Sequence, residues 1–165
     1  MKSRAGMGSA LFFLVGPGVE AGLAPWLLTG GFIDAGSPAP LRVLGALLCL
    51  AGIAVLATTF ASFAGEGAGT PSPAAPTGRL VVAGAYRHVR NPMYLASAAI
   101  IVGEGLLLGQ WILLAGAAAY LAAMAGLAAR VEEPRLRRRF GADYREYRDA
   151  VPGWLPSRRA WRPEG

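Results

Sequence analysis

The nine residues Tyr86-Arg87-His88-Val89-Arg90-Asn91-Pro92-Met93-Tyr94 put two arginines, a histidine, an amide and two phenols at the mouth of a long apolar stretch. Polar groups at or inside a membrane are expensive, and a cluster of them ordinarily has a function. Pro92 suits the first turn of a helix, where no amide donor is needed. Asn91 then falls near the N-cap, and the free amides and positive potential of a helix start receive carboxylates and phosphates. Tyr94 lies one turn further in and can offer a hydroxyl and a ring to the same place. A capped helix start with its arginines among lipid headgroups explains these residues equally well.

A second cluster, Glu132-Glu133, follows the last apolar stretch. These acids are either salt-bridge partners for Arg87, Arg90 or Arg135, or ligands for something cationic or rich in hydroxyls. Arginines, an N-cap and an aromatic on one side with carboxylates on the other suit a zwitterion carrying a carboxylate, an amine and ribose hydroxyls. S-adenosylmethionine has all of these, plus a sulfonium that aromatic faces favour. Glu20 and Glu104 lie deep in apolar segments. Each is either a protonated or helix-paired acid facing a bundle interior or a pocket acid that positions an amine or hydroxyl acceptor. His88 reads as an interfacial residue. Cys49, the single cysteine, reads as a small packing residue and excludes both an intramolecular disulfide and a cysteine-based metal site.

The elements that must position these residues are helices in a membrane. Only 16% of the chain is charged, well below the roughly one quarter of soluble domains. Four segments have the composition of spans: Leu11–Phe32, Leu41–Phe63, Pro92–Leu108 and Trp111–Ala129. Each is near the roughly 20 residues that cross about 30 Å of hydrocarbon. The expected fold is therefore an all-α integral membrane bundle of one domain, with four transmembrane helices and a cytoplasmic helical tail over 130–165. Leu11–Phe32 reads as a span and not a cleaved signal, because it is long and contains Glu20.

Basic residues set the orientation. Lys2 and Arg4 precede the first span, Arg79, Arg87 and Arg90 lie between the second and third, and ten arginines from Arg130 to Arg162 follow the fourth. Only Arg42 falls on the opposite side. Both termini and the middle loop are thus expected in the cytoplasm, with the basic skirt against anionic headgroups. A tail rooted in a membrane helix argues against nucleic acid as its partner.

Gly109-Gln110 is short enough to force the third and fourth spans into an antiparallel hairpin. Gly45 and Gly52 in the second span, and the run of small residues from Ala115 to Gly126 in the fourth, are expected to be packing surfaces. Trp26 and Trp111 suit an interfacial belt. Gly65–Thr77, rich in Gly, Pro, Ala, Ser and Thr, reads as a loop ordered where it touches a partner or ligand. Leu80-Val81-Val82 is expected to approach the motif as extended backbone. Leu136, Phe140, Tyr144 and Tyr147 form one apolar stripe on a basic helix that either lies on the membrane or caps the bundle.

In order and spacing, Gly84-Ala85-Tyr86, Arg90-Asn91-Pro92-Met93-Tyr94, Glu132-Glu133, Leu136, Phe140-Gly141, Tyr144, Tyr147 and Val151-Pro152 resemble the isoprenylcysteine carboxyl methyltransferase family, which is related to the phospholipid methyltransferases. The resemblance covers about half the chain and implies a membrane enzyme that binds S-adenosylmethionine from the cytoplasm. Matched by position, it implies cofactor contacts from Leu80, Val81, Tyr86, Asn91, Pro92, Met93, Tyr94 and Glu132. It assigns no catalytic residue. Many members have histidine where Asn91 stands, and asparagine cannot act as acid or base. Eukaryotic members have a substrate-binding arginine where Ala128 stands, and Arg130 is the nearest one here. Arg130, Glu133 and Glu104 are the candidate acceptor contacts. The expected acceptor is a lipophilic group, prenylcysteine carboxylate-like or a phospholipid amine, in a bacterial plasma membrane. The rival readings are an NADPH-dependent sterol-type reductase and a non-enzymatic membrane scaffold.

Overall fold

A computed structural model describes residues 16–65, 80 and 82–162, with backbone only for 63–65. Val81, residues 66–77 of the expected loop, the start of the first expected span, Lys2, Arg4 and Arg79 lie outside the described residues. Those described form helices and no strands: α1 (Val19–Leu28), α2 (Ala39–Gly65), α3 (Pro92–Leu108), α4 (Ile112–Leu127) and α5 (Glu133–Ala150). A π-type turn, Ala128–Glu132, joins α4 to α5 without a break, and another, Val19–Leu23, opens α1. Ala39–Ser62 and the continuous Ile112–Ala150 are long and apolar enough to cross a membrane, while Val19–Leu28 and Pro92–Leu108 are shorter apolar helices.

α2 and α3 form the tightest pair, and glycines explain why. A Cβ on Gly45 would lie 2.5 Å from the Gly103 carbonyl, and one on Gly52 would lie 2.7 Å from the Ala96 carbonyl. Small residues let helix backbones approach in this way. Leu56, Ala96 and Ile100 fill the seam. The run of small residues in α4 behaves differently from the expectation. Ala117 is buried, but Ala115, Ala118, Ala119, Ala122 and Ala123 are exposed. α4 meets α3 along the stripe of Leu113 and Ala117, which leaves those five alanines facing outward, while Gly116, Ala125 and Gly126 are half-buried.

α1 ends at Leu28, earlier than the expected Phe32. The Thr29 hydroxyl donates to the Pro25 carbonyl at 2.8 Å and accepts from the Phe32 amide at 2.9 Å, which turns the chain. The link that follows is tied to the far end of α3: the Ala35 amide donates to the Leu108 carbonyl at 2.8 Å, and Ser37 Oγ donates to the Leu106 carbonyl. Carbonyls left open at a helix end are thereby satisfied. Gly109 takes a left-handed φ of 67° and closes the α3–α4 hairpin. At this same end, Arg42 pairs with Asp34 at 2.6 Å. The Gly36 amide, then Arg42, holds the Asp34 carboxyl below its usual range, though the pair is too exposed to add much stability.

The tail caps the opposite end of the bundle. Tyr144, Tyr147 and Val151 are buried, and Leu80, Val82, Leu136, Phe140 and Trp161 pack around them. Leu80 and Val82 form no strand. They lead into a tight 3₁₀ turn over Gly84–Arg87. α5 bends at Gly141, whose φ of 53° and ψ of −114° are non-helical, and ends at Ala150, just before Pro152.

Candidate functional site

The rise of 1.5 Å per residue carries the end of α4 back along α3 to the point where α3 begins. There the two sequence clusters meet. Tyr94 OH donates to Glu132 Oε1 at 2.6 Å, joining the first turn of α3 to the π turn that ends α4. The ring of Trp154 stacks on Tyr94, with centroids 6.3 Å apart and planes 17° apart. Tyr120 presents an edge-on contact to Tyr94 at 6.4 Å, and its hydroxyl donates to Glu20 Oε2 at 2.7 Å. Tyr86 completes the group. It is half-buried, and burial, with the Glu132 charge added, pushes its phenol above the usual range.

Glu133 points elsewhere. Arg90 Nη1 donates to its Oε1 at 2.7 Å and to Tyr144 OH at 3.3 Å, and Arg148 approaches its Oε2 at 3.6 Å. Glu133 therefore holds the start of α5 against the motif, while Glu132 faces Tyr94. Adjacent residues on a helix diverge by about 100°, which explains how two neighbouring acids take separate tasks.

The C-terminal segment acts as a strap along 86–91. The amides of Arg90, Ser157 and Trp161 bond the carbonyls of Pro152, His88 and Arg87 at 2.9, 2.8 and 2.9 Å. Asn91 Nδ2 donates to the Gly153 carbonyl at 3.0 Å, His88 Nδ1 lies 2.8 Å from the Ser157 carbonyl, and Tyr147 OH donates to the Tyr86 carbonyl at 2.8 Å. His88 is thus part of the strap's anchorage. With Asn91 turned to the strap, no side chain caps α3 and Pro92 stands at its start. The amides of Met93 and Tyr94 are first-turn donors without partners inside the helix.

The remaining candidates are spread out. Leu80 packs on Tyr144 and Tyr147, Met93 faces the α2 seam at Leu56, and Arg130 is exposed and lies over Gly126. Glu104 is far along α3 beside Cys49, with one carboxyl oxygen buried and without a hydrogen bond among the described residues. Tyr120 and Trp154 did not emerge from the sequence as site residues. Tyr120 had a signal, a phenol in an otherwise apolar helix that also holds no charge. Trp154 had none, because only the strap brings it to Tyr94.

The tyrosine cluster under the tail gives a pH dependence. Burial raises the phenols of Tyr86, Tyr144 and Tyr147 above their usual range. Unfolded tyrosines ionise near pH 10, so the unfolded chain releases protons first as pH rises. The cluster's stabilisation is complete below about pH 10 and is lost as pH rises toward the folded values. Tyrosinate absorbance followed alongside thermal stability should show both changing only on the alkaline side.

The geometry now has a family to stand beside. The phospholipid methyltransferase family matches residues 41–143, more than half of the chain, and the chain belongs to that family. The match holds Tyr86, Tyr94, Tyr120 and Glu132, and leaves Glu20 and Trp154 outside it. Comparison with curated proteins and with solved structures gave no match.

Proposed function

We propose that this protein is an integral membrane methyltransferase that uses S-adenosylmethionine and acts on a lipid acceptor. The Tyr94–Glu132 hydrogen bond is the observation that carries the reading, because it joins the two motifs on which the family resemblance rests. The donor set suits the cofactor. Glu132 can receive ribose hydroxyls or an ammonium group. The uncapped first turn of α3, at Asn91, Pro92 and Met93, can receive a carboxylate. The faces of Tyr94 and Trp154 suit a sulfonium. Tyr86 stands beside Glu132, and Leu80 precedes the turn that carries Tyr86. When bound, the cofactor supplies an electrophilic methyl group. The protein's task is then alignment and exclusion of water, to which the strap and the aromatic rings are suited.

In this reading the four apolar segments to which α1 to α4 belong, Leu11–Phe32, Leu41–Phe63, Pro92–Leu108 and Trp111–Ala129, all cross the bilayer. The tail, the strap and the motif lie on the cytoplasmic side, where the basic residues concentrate. The acceptor is a lipid or lipid-linked group that enters from the membrane. The test is transfer of labelled methyl from S-adenosylmethionine into a total lipid extract by the purified protein. A labelled lipid supports the reading and names the acceptor, whereas no transfer with the cofactor demonstrably bound overturns it.

A further inference from the structure

α1 lies outside the family-matched stretch, yet it brings a carboxylate to the site. Ala21 packs against both the α2–α3 and the α3–α4 cores, which seats α1 and turns the neighbouring Glu20 to Tyr120. Glu20, Tyr120, Tyr94 and Glu132 follow one another by contact: a hydrogen bond, a ring edge and a second hydrogen bond. Tyr120 precedes Glu132 on the continuous α4 helix, so Glu20 meets the row on the side away from the tail. Glu132 is thus at the tail end of the row and Glu20 at the end nearer the bundle's middle.

Two further observations separate Glu20 from a simple tie between helices. Both π turns among the described residues, Val19–Leu23 and Ala128–Glu132, carry one of these two carboxylates. Such turns are rare and concentrate at functional sites. In addition, no arginine or lysine pairs with Glu20 among the described residues, whereas Glu133 has two. A carboxylate has about four acceptor positions, and Tyr120 occupies one.

Resting on the methyltransferase reading, we propose that Glu20, set in place by Tyr120, binds the acceptor. It receives the N–H or O–H hydrogen of the lipid head to be methylated, and it repels an acceptor whose reacting atom is a carboxylate oxygen. The site then divides along its row, with cofactor at Glu132 and acceptor at Glu20. This assigns the class of acceptor to a helix outside the family-matched residues.

The experiment titrates the full-length protein in detergent with short-chain phosphatidylethanolamine, phosphatidylglycerol and decanoate, read by tryptophan fluorescence, with S-adenosylhomocysteine affinity measured separately. The wild type should bind the amine or the hydroxyl lipid at least about tenfold more tightly than decanoate. Glu20→Gln should weaken that binding by about tenfold, the scale of one charge-assisted hydrogen bond. Glu20→Asp should recover part of it, and S-adenosylhomocysteine affinity should stay within about twofold in both. Unchanged lipid binding in Glu20→Gln, or decanoate bound best, overturns the proposal. So does a parallel fall in S-adenosylhomocysteine affinity, which would make Glu20 a structural tie. A wild type that binds the lipid but no S-adenosylhomocysteine overturns the methyltransferase reading instead.

Discussion

Glu132→Ala is expected to abolish measurable S-adenosylhomocysteine binding. The side chain ends the continuous α4 helix in a π turn and accepts from Tyr94 OH at 2.6 Å. A hydrogen bond to a charged group contributes about 1.5–3 kcal/mol. Two such bonds to a ligand, together with a Tyr94 hydroxyl left without its partner, put the loss at about a hundredfold or more. Glu133→Ala gives the contrast. That acid is tied to Arg90 and Arg148, with side-chain exposures of 16% for Arg90 and 23% for Glu133. Its removal strands a half-buried guanidinium, loosens α5 and lowers thermal stability, while the Tyr94 environment stays intact. Calorimetric titration of the two variants, each checked for thermal unfolding, separates the neighbours. Equal loss of binding in both contradicts the division of labour.

Gly52→Leu is expected to prevent assembly of the bundle. Even a Cβ there would lie 2.6 Å from Ile100 Cγ1 and 2.7 Å from the Ala96 carbonyl. The second contact is with backbone, which cannot swing aside, so α2 must move off α3. Overpacking of this kind costs about 1–3 kcal/mol for a few methylenes, and a whole leucine against backbone exceeds that range. α3 carries Tyr94, so the displacement also reaches the site. Gly22→Ala is the control. A Cβ there meets nothing within 4 Å, and the change should stay within about 0.5 kcal/mol of wild type. Thermal unfolding in detergent should show a large fall for the first variant and none for the second.

These two residues also show what the chain discloses before folding. Gly52 and Gly45 are readable as contact points because close helix approach admits little else, and the structure uses both. Glu132 and Tyr94 are readable because charge and hydroxyls at the ends of apolar segments are expensive, and a two-residue turn forces those ends together. The alanines of α4 are ambiguous in the sequence, since alanine is as compatible with an outward face as with a tight seam, and only Ala117 among those of the run is buried. Glu20 was visible as an anomaly but not as a partner of Tyr120. That pairing depends on the rotation of α1, which is fixed where Ala21 packs against the two core clusters. Trp154 and the strap are hidden, because backbone pairing between 87–90 and 152–161 leaves no periodic trace in either stretch.

The proposed function requires that the residue cluster at Tyr94 and Glu132 receive a sulfonium cofactor. Equilibrium binding to the purified wild-type protein tests it most directly, with S-adenosylmethionine, S-adenosylhomocysteine and NADPH titrated in parallel. The expected result is saturable binding of the first two and none of NADPH. Binding of NADPH without either sulfur compound would contradict it.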